Sequence, residues 1–88
     1  MRVRPEPGVT ATVLESGELL LLTSSGETHK FAPLAAAMWI ALRQHDGNLG
    51  EAADALSVLW NSESVLIHAE LEMWADELGA AGLVRTEP

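Results

Sequence analysis

Between Val9 and Leu14 the chain alternates, with Val9, Ala11 and Val13 on one side and Thr10 and Thr12 on the other. A two-residue period predicts a half-buried strand. Glu15-Ser16-Gly17-Glu18 reads as a turn, with Gly17 able to take positive φ. Leu19 to Leu22 is an unbroken apolar run between two Ser/Gly turns. It is too short for a helix and reads as the central strand of a meander. Its lack of alternation implies that something covers the second sheet face: the N-terminal arm, a second copy or an enzyme partner. Ser24-Ser25-Gly26 is the next turn, and the more polar Thr28 to Ala32 is the third strand. A polar strand at the end of a meander suits a sheet edge.

The period changes at Pro33, a residue well placed at a first helical position. Leu34, Met38 and Leu42 repeat every four residues, and little polar interrupts them before Arg43. This first helix is expected to be buried nearly all round. His45-Asp46-Gly47 ends it, and Asn48 with Glu51 resembles a capping box. The second helix carries Leu49, Ala52, Ala53, Leu56, Leu59 and Trp60 on one stripe. Asn61 to Ser64 breaks and recaps the chain. The third helix places Ile67, Leu71, Trp74 and Leu78 on one stripe, with Glu70, Glu72, Asp76 and Glu77 elsewhere and Gly82 as its stop.

The expected fold is therefore α+β: a winged-helix-like β-β-β-α-α-α order, with a three-stranded antiparallel sheet packed on three helices. Residues 1–8 read as an N-terminal arm, 9–84 as the domain and 85–88 as a C-terminal tail. Trp39 and Trp74 fall in apolar stripes and are expected in the core, whereas Trp60 is expected to be partly exposed.

Composition narrows the function. A chain of 88 residues makes one small domain, with little room for both a core and an enclosed active site. Thirteen acidic and five basic side chains leave a net charge of −8, which disfavours a phosphate-binding surface. The absence of Cys removes disulfides, thiolate metal sites and cysteine nucleophiles, and fits a cytoplasmic setting. The longest apolar run, Phe31 to Leu42, falls well short of the roughly twenty residues of a membrane span.

Residues able to do chemistry are scattered. His29, His45 and His68 show no metal-ligand spacing, no Ser lies in a Gly-x-Ser-x-Gly elbow, and there is no glycine-rich phosphate loop. The carboxylates of the third helix read as a solvated face. No enzyme, metal or cofactor is expected.

Lys30-Phe31-Ala32-Pro33-Leu34 through Trp39 and Leu42, Gly47 through Leu56, and Glu70 through Ala81-Gly82-Leu83-Val84 follow one another in a telling order. In that order the chain resembles the PqqD-like proteins, or RiPP recognition elements, over residues 9 to 84. It is most similar to the stand-alone leader-binding proteins of lasso-peptide pathways. The resemblance implies a protein that binds the leader of a ribosomally made precursor peptide and delivers it to a separate leader protease and a cyclase. It also implies that the leader lies between the third strand and the third helix. The residues carried over are Glu27, Thr28, His29, Lys30, Phe31 and Ala32 on the strand, and Ile67, Glu70, Leu71 and Trp74 on the helix. The strand has His29 where an aromatic residue is often found, and Ala75 follows Trp74 where a large apolar residue is common.

Physical chemistry gives the mechanism independent support. An open meander edge can accept an extended peptide as a further strand, with main-chain bonds for affinity and side-chain pockets for specificity. The third-helix carboxylates would favour basic peptide residues. The competing expectations are an oligomerisation or scaffold module, including a homodimer, and a winged-helix DNA binder. A third helix with four carboxylates and no Lys or Arg repels DNA phosphates.

Overall fold

The computed structural model describes residues 2–87. Its elements run β1 (Arg2–Pro5), β2 (Thr10–Val13), β3 (Leu19–Leu22), β4 (Thr28–Phe31), α1 (Pro33–Gln44), α2 (Leu49–Trp60), α3 (Ser64–Ala80) and β5 (Val84–Glu87). The expected α+β architecture is present: β2, β3 and β4 form an antiparallel meander, and three helices follow. The β-β-β-α-α-α order was incomplete at both ends. Residues read as arm and tail pair with each other, β1 against β5, with Val3 opposite Thr86. The outermost residues of those two segments, Met1 and Pro88, lie outside the described residues.

The two meander hairpins are built alike. The Leu14 N–H donates to the Glu18 carbonyl and the Gly17 N–H to the Leu14 carbonyl, each at 2.8 Å. The Thr23 N–H donates to Glu27 and the Gly26 N–H to Thr23, at 2.9 and 3.0 Å. Gly17 and Gly26 sit at φ 90° and 92°, so each loop is a tight turn closed by a glycine bulge. These bonds also set the ladder's phase. Bonded and non-bonded pairs alternate along an antiparallel ladder. Thr10 and Thr12 therefore direct their main-chain groups at β3, while those of Ala11 and Val13 point outward. On the other edge His29 and Phe31 bond to β3, while Thr28 and Lys30 point outward.

The core lies between the helix-facing side of the sheet and the three helices. Leu19, Leu21, Leu71, Leu78 and Leu83 are fully buried at its centre. Trp39 and Trp74 are buried as expected, and Trp60 packs half-buried against the cluster. Two burial expectations fail. Every residue of β2 is exposed, because no helix covers that side of the sheet fully. Leu34 and Ile40 of α1 are also exposed, so the helix buries one broad face rather than its whole circumference. The second sheet face stays open at Leu22, with Leu20 half-buried.

Helix ends follow local chemistry. Asn48 Oδ1 accepts the Glu51 N–H at 2.9 Å, capping α2 as the sequence implied. Past α3, Gly82 turns to φ 76° and the Leu83 N–H reaches back to the Leu78 carbonyl at 2.9 Å. That reversal launches β5 towards β1.

The β1–β5 sheet is fastened to the α1–α2 turn. The Val3 N–H donates to the Gly47 carbonyl at 2.8 Å. Arg2 and Arg4 both reach the Asp46 carboxylate, and Arg4 Nε also bonds Glu87 at 2.9 Å. Hydrogen bonding and charge attraction from Arg4 hold the Asp46 carboxyl below its usual range of about 3.8. The sign follows from linkage. A lowered folded-state pKa stabilises the fold above the unfolded-state value, and that contribution disappears as pH falls through the folded value. Asp46 is 70% exposed, so the effect is small. Wild type is expected to melt above Asp46→Asn near neutrality, with the gap closing as pH drops below about 4. Thermal melts across pH check this; a gap that does not change with pH would leave the network without a titrating role.

Candidate functional site

β4 is an edge strand, and α3 meets it where Trp74 touches Phe31. The side chains of His29 and Phe31 lie on the helix-facing side of the sheet, opposite buried Leu21 and Leu19. Phe31 meets Trp74 of α3 edge to face, with ring centroids 5.8 Å apart. Trp74 in turn meets Trp39 of α1 at 6.4 Å. This aromatic chain ties strand, α3 and α1 together and leaves Phe31 half-buried at the lip of the edge. Beside it, His29 Nε2 is buried without a hydrogen-bond partner among the described residues.

The orientation of α3 follows from two contacts. Trp74 touches Phe31, while Ser64, Val65 and His68 line a crevice against Gly50, Ala53 and Asp54 of α2. A helix advances about 100° per residue, so the flank beyond Trp74, away from α2, carries Glu70 and Glu77 and then Leu66 and Met73. All four are exposed, Leu66 at 61% and Met73 at 66%. β4 thus presents its outer main-chain edge beside the Phe31–Trp74 contact, and the neighbouring flank of α3 is apolar and acidic.

The structure brings the expected strand residues together: Glu27, Thr28, Lys30 and Ala32 are exposed along the edge, and His29 and Phe31 are half-buried. The helix residues divide. Glu70 lines the flank and Trp74 supports Phe31, but Ile67 and Leu71 are 3% and 0% exposed and belong to the core. In the free chain both side chains are turned into the core, whereas the sequence placed them against a bound chain. Their stripe is the one that α3 uses to pack on the domain. Leu66 and Met73, exposed on the same flank as Glu70, were not singled out from the sequence. The available signal was their position: two apolar residues outside the core stripe, interleaved with Glu70 and Glu77.

The electrostatics are one-sided. α3 carries four carboxylates, and only Glu72 approaches a basic side chain, the His68 imidazole at 3.9 Å, among the described residues. Glu70 and Glu77 are exposed and form no ion pair among the described residues. No group of three or more His, Cys, Asp or Glu residues able to hold a metal occurs among the described residues. No described helix is long and apolar enough to cross a membrane.

No protein-family model and no curated protein sequence matches the chain. The solved structure of TbiB1 in complex with the TbiA(beta) leader peptide does match. It superposes with a TM-score of 0.82 at 15% identity, over 97% of this chain and 98% of that one. The chain has the fold of TbiB1 from end to end. The likeness bears on the fold, an α+β arrangement of a three-stranded meander with three helices.

Proposed function

We propose that this protein is a RiPP recognition element that binds the leader segment of a ribosomally made precursor peptide by adding it as a strand to β4. The observation that carries the proposal is the outward main chain of Thr28 and Lys30, unpaired among the described residues, at the edge where Phe31 meets Trp74 of α3. Four donor and acceptor groups there lack strand partners among the described residues, and an extended peptide supplies them. Its side chains alternate in direction. One set lies over Phe31 and the Leu66–Met73 flank, so this set is apolar. Residues next to Glu70 and Glu77 are favoured when basic.

The shared fold of TbiB1, a protein solved with a leader peptide bound, supports the reading. Such a domain needs no catalytic residues of its own. Its role is to raise the local concentration of precursor at a partner enzyme, which performs the chemistry. In a lasso-peptide pathway the partners are a leader protease and a cyclase, and the setting is cytoplasmic.

Fluorescence titration with a labelled leader peptide, from a precursor encoded beside this protein, tests the proposal. Saturable binding is expected. Phe31→Asp places a charge at the β4 edge and is expected to weaken binding by about tenfold or more. An unchanged affinity in a folded Phe31→Asp variant would move the site elsewhere. No saturation at high micromolar peptide would remove the leader-binding reading.

A further inference from the structure

The second open edge of the meander has a different character. β2 reads Thr-Ala-Thr-Val, and all four residues are exposed, Val13 at 50%. Ala11 and Val13 direct their N–H and C=O groups away from the sheet. Natural edges are usually protected by Lys, Pro, an inward charge or a bulge, and β2 has none of these within it. Under this edge, between β2 and α1, runs an open groove of about 380 Å³. Val13, Leu19, Trp39 and Ile40 give it an apolar lining, to which Gln44 and Arg43 add the polar groups.

We propose that the occupant is a second copy of this chain, which pairs β2 to β2 in antiparallel fashion about Thr12 and makes a continuous six-stranded sheet. Symmetry and charge select this occupant. A two-fold axis at Thr12 sets each Ala11 against the other copy's Val13, so outward-facing residues meet outward-facing residues. Thr12 then faces Thr12, a favourable cross-strand pair. The chain carries a charge of −8, so self-association needs a face without carboxylates. The groove lining contains no carboxylate and one arginine. Arg43 forms no ion pair among the described residues.

The same register supplies Arg43 with a partner. The start of α1 lies beside the β2–β3 turn: the Pro33 ring is 3.5 Å from where a Cβ on Gly17 would sit. The far end of α1, with Arg43, therefore lies towards Val9. Pairing about Thr12 brings the second copy's Glu15 opposite Val9, on the side towards which the Arg43 end of α1 points. The pair forms twice by symmetry. A basic peptide would instead meet Arg43 as a like charge, which separates this edge from β4 and the flank with Glu70 and Glu77. The two β4 edges remain open at the outer limits of the six-stranded sheet. The inference does not rest on the proposed peptide binding.

Light scattering and sedimentation of the full chain over rising concentration test it. The expected mass is twice the 9.4 kDa of one chain as concentration approaches about 1 mM. Val13→Lys and Arg43→Glu are each expected to raise the dimer dissociation constant about tenfold or more. Combining Glu15→Arg with Arg43→Glu is expected to restore dimerisation, because the pair is re-formed with its signs exchanged. Circular dichroism confirms that each variant is folded. If Val13→Lys unfolds, the charge exchange decides alone, since Glu15 and Arg43 are exposed. A single-chain mass throughout, a dimer indifferent to these substitutions, or a failed rescue would overturn the proposal. So would amide protection of Ala11 and Val13 that appears only when a leader peptide is added to a monomer.

Discussion

Lys30→Pro is expected to abolish measurable peptide binding, a loss of about 100-fold or more, and to leave the domain folded. The Lys30 N–H points outward from β4 and makes no bond to β3, so proline removes nothing from the existing ladder. Proline is tolerated at such positions on edge strands. An incoming strand, however, loses a donor and meets the pyrrolidine ring on its path. A buried acceptor left unsatisfied costs about 1–3 kcal/mol, and the steric block adds to it. Two controls make the result specific. Lys30→Ala keeps the N–H and is expected to bind nearly as wild type. His29→Pro removes an N–H that bonds to β3, so it is expected to destabilise the fold itself. Titration with labelled leader peptide, alongside thermal melts, reads all three. Equal binding by Lys30→Pro and wild type would mean that the main-chain edge is not used.

Gly47→Ala is expected to be among the most destabilising single changes in the chain, at about 3 kcal/mol or more. Gly47 sits at φ 80°, where L side chains are strained, and a Cβ there would lie 2.3 Å from the Val3 carbonyl oxygen. The obstacle is backbone, so relief requires β1 to leave the α1–α2 turn. That takes with it the Val3–Gly47 bond and the fit of β1 against β5. Gly26 is the internal comparison. It shares the positive φ, at 92°, but a Cβ there meets nothing within 4 Å. Gly26→Ala is expected to cost only the backbone strain, about 1–2 kcal/mol. Denaturant unfolding of the two variants separates the effects. Equal losses would mean that the close approach of β1 to Gly47 does not matter.

The meander and helices were legible because each carries its period within a few residues. Glycines at 17 and 26 announced turns of one type, and Asn48 with Glu51 announced a cap. The β1–β5 sheet was not legible. Arg2–Pro5 buries only Val3, includes a proline, and finds its partner at the opposite end of the chain. No local pattern records a pairing of that range. The exposed β2 strand misled for a related reason: alternation predicts two faces, but not whether a helix reaches far enough to cover one.

The candidate site was half legible. The edge character of β4 showed in its polar composition, and Phe31 stood out at the junction with α1. On α3 the apolar stripe was read as facing a bound peptide, when its first duty is the core. Ile67 and Leu71 are spent there. The neighbouring stripe, where Leu66 and Met73 alternate with Glu70 and Glu77, is the exposed one. A helix that serves a core and a groove together must carry two adjacent stripes. Sequence period alone does not say which stripe faces which.

The central claim is that a peptide joins the sheet at β4. Amide hydrogen exchange, followed residue by residue with and without saturating leader peptide, tests it most directly. Thr28 and Lys30 have exposed, outward N–H groups in the free protein and are expected to become strongly protected, while His29 and Phe31, already bonded to β3, change little. Unchanged exchange at Thr28 and Lys30 with the peptide fully bound would contradict strand addition at this edge.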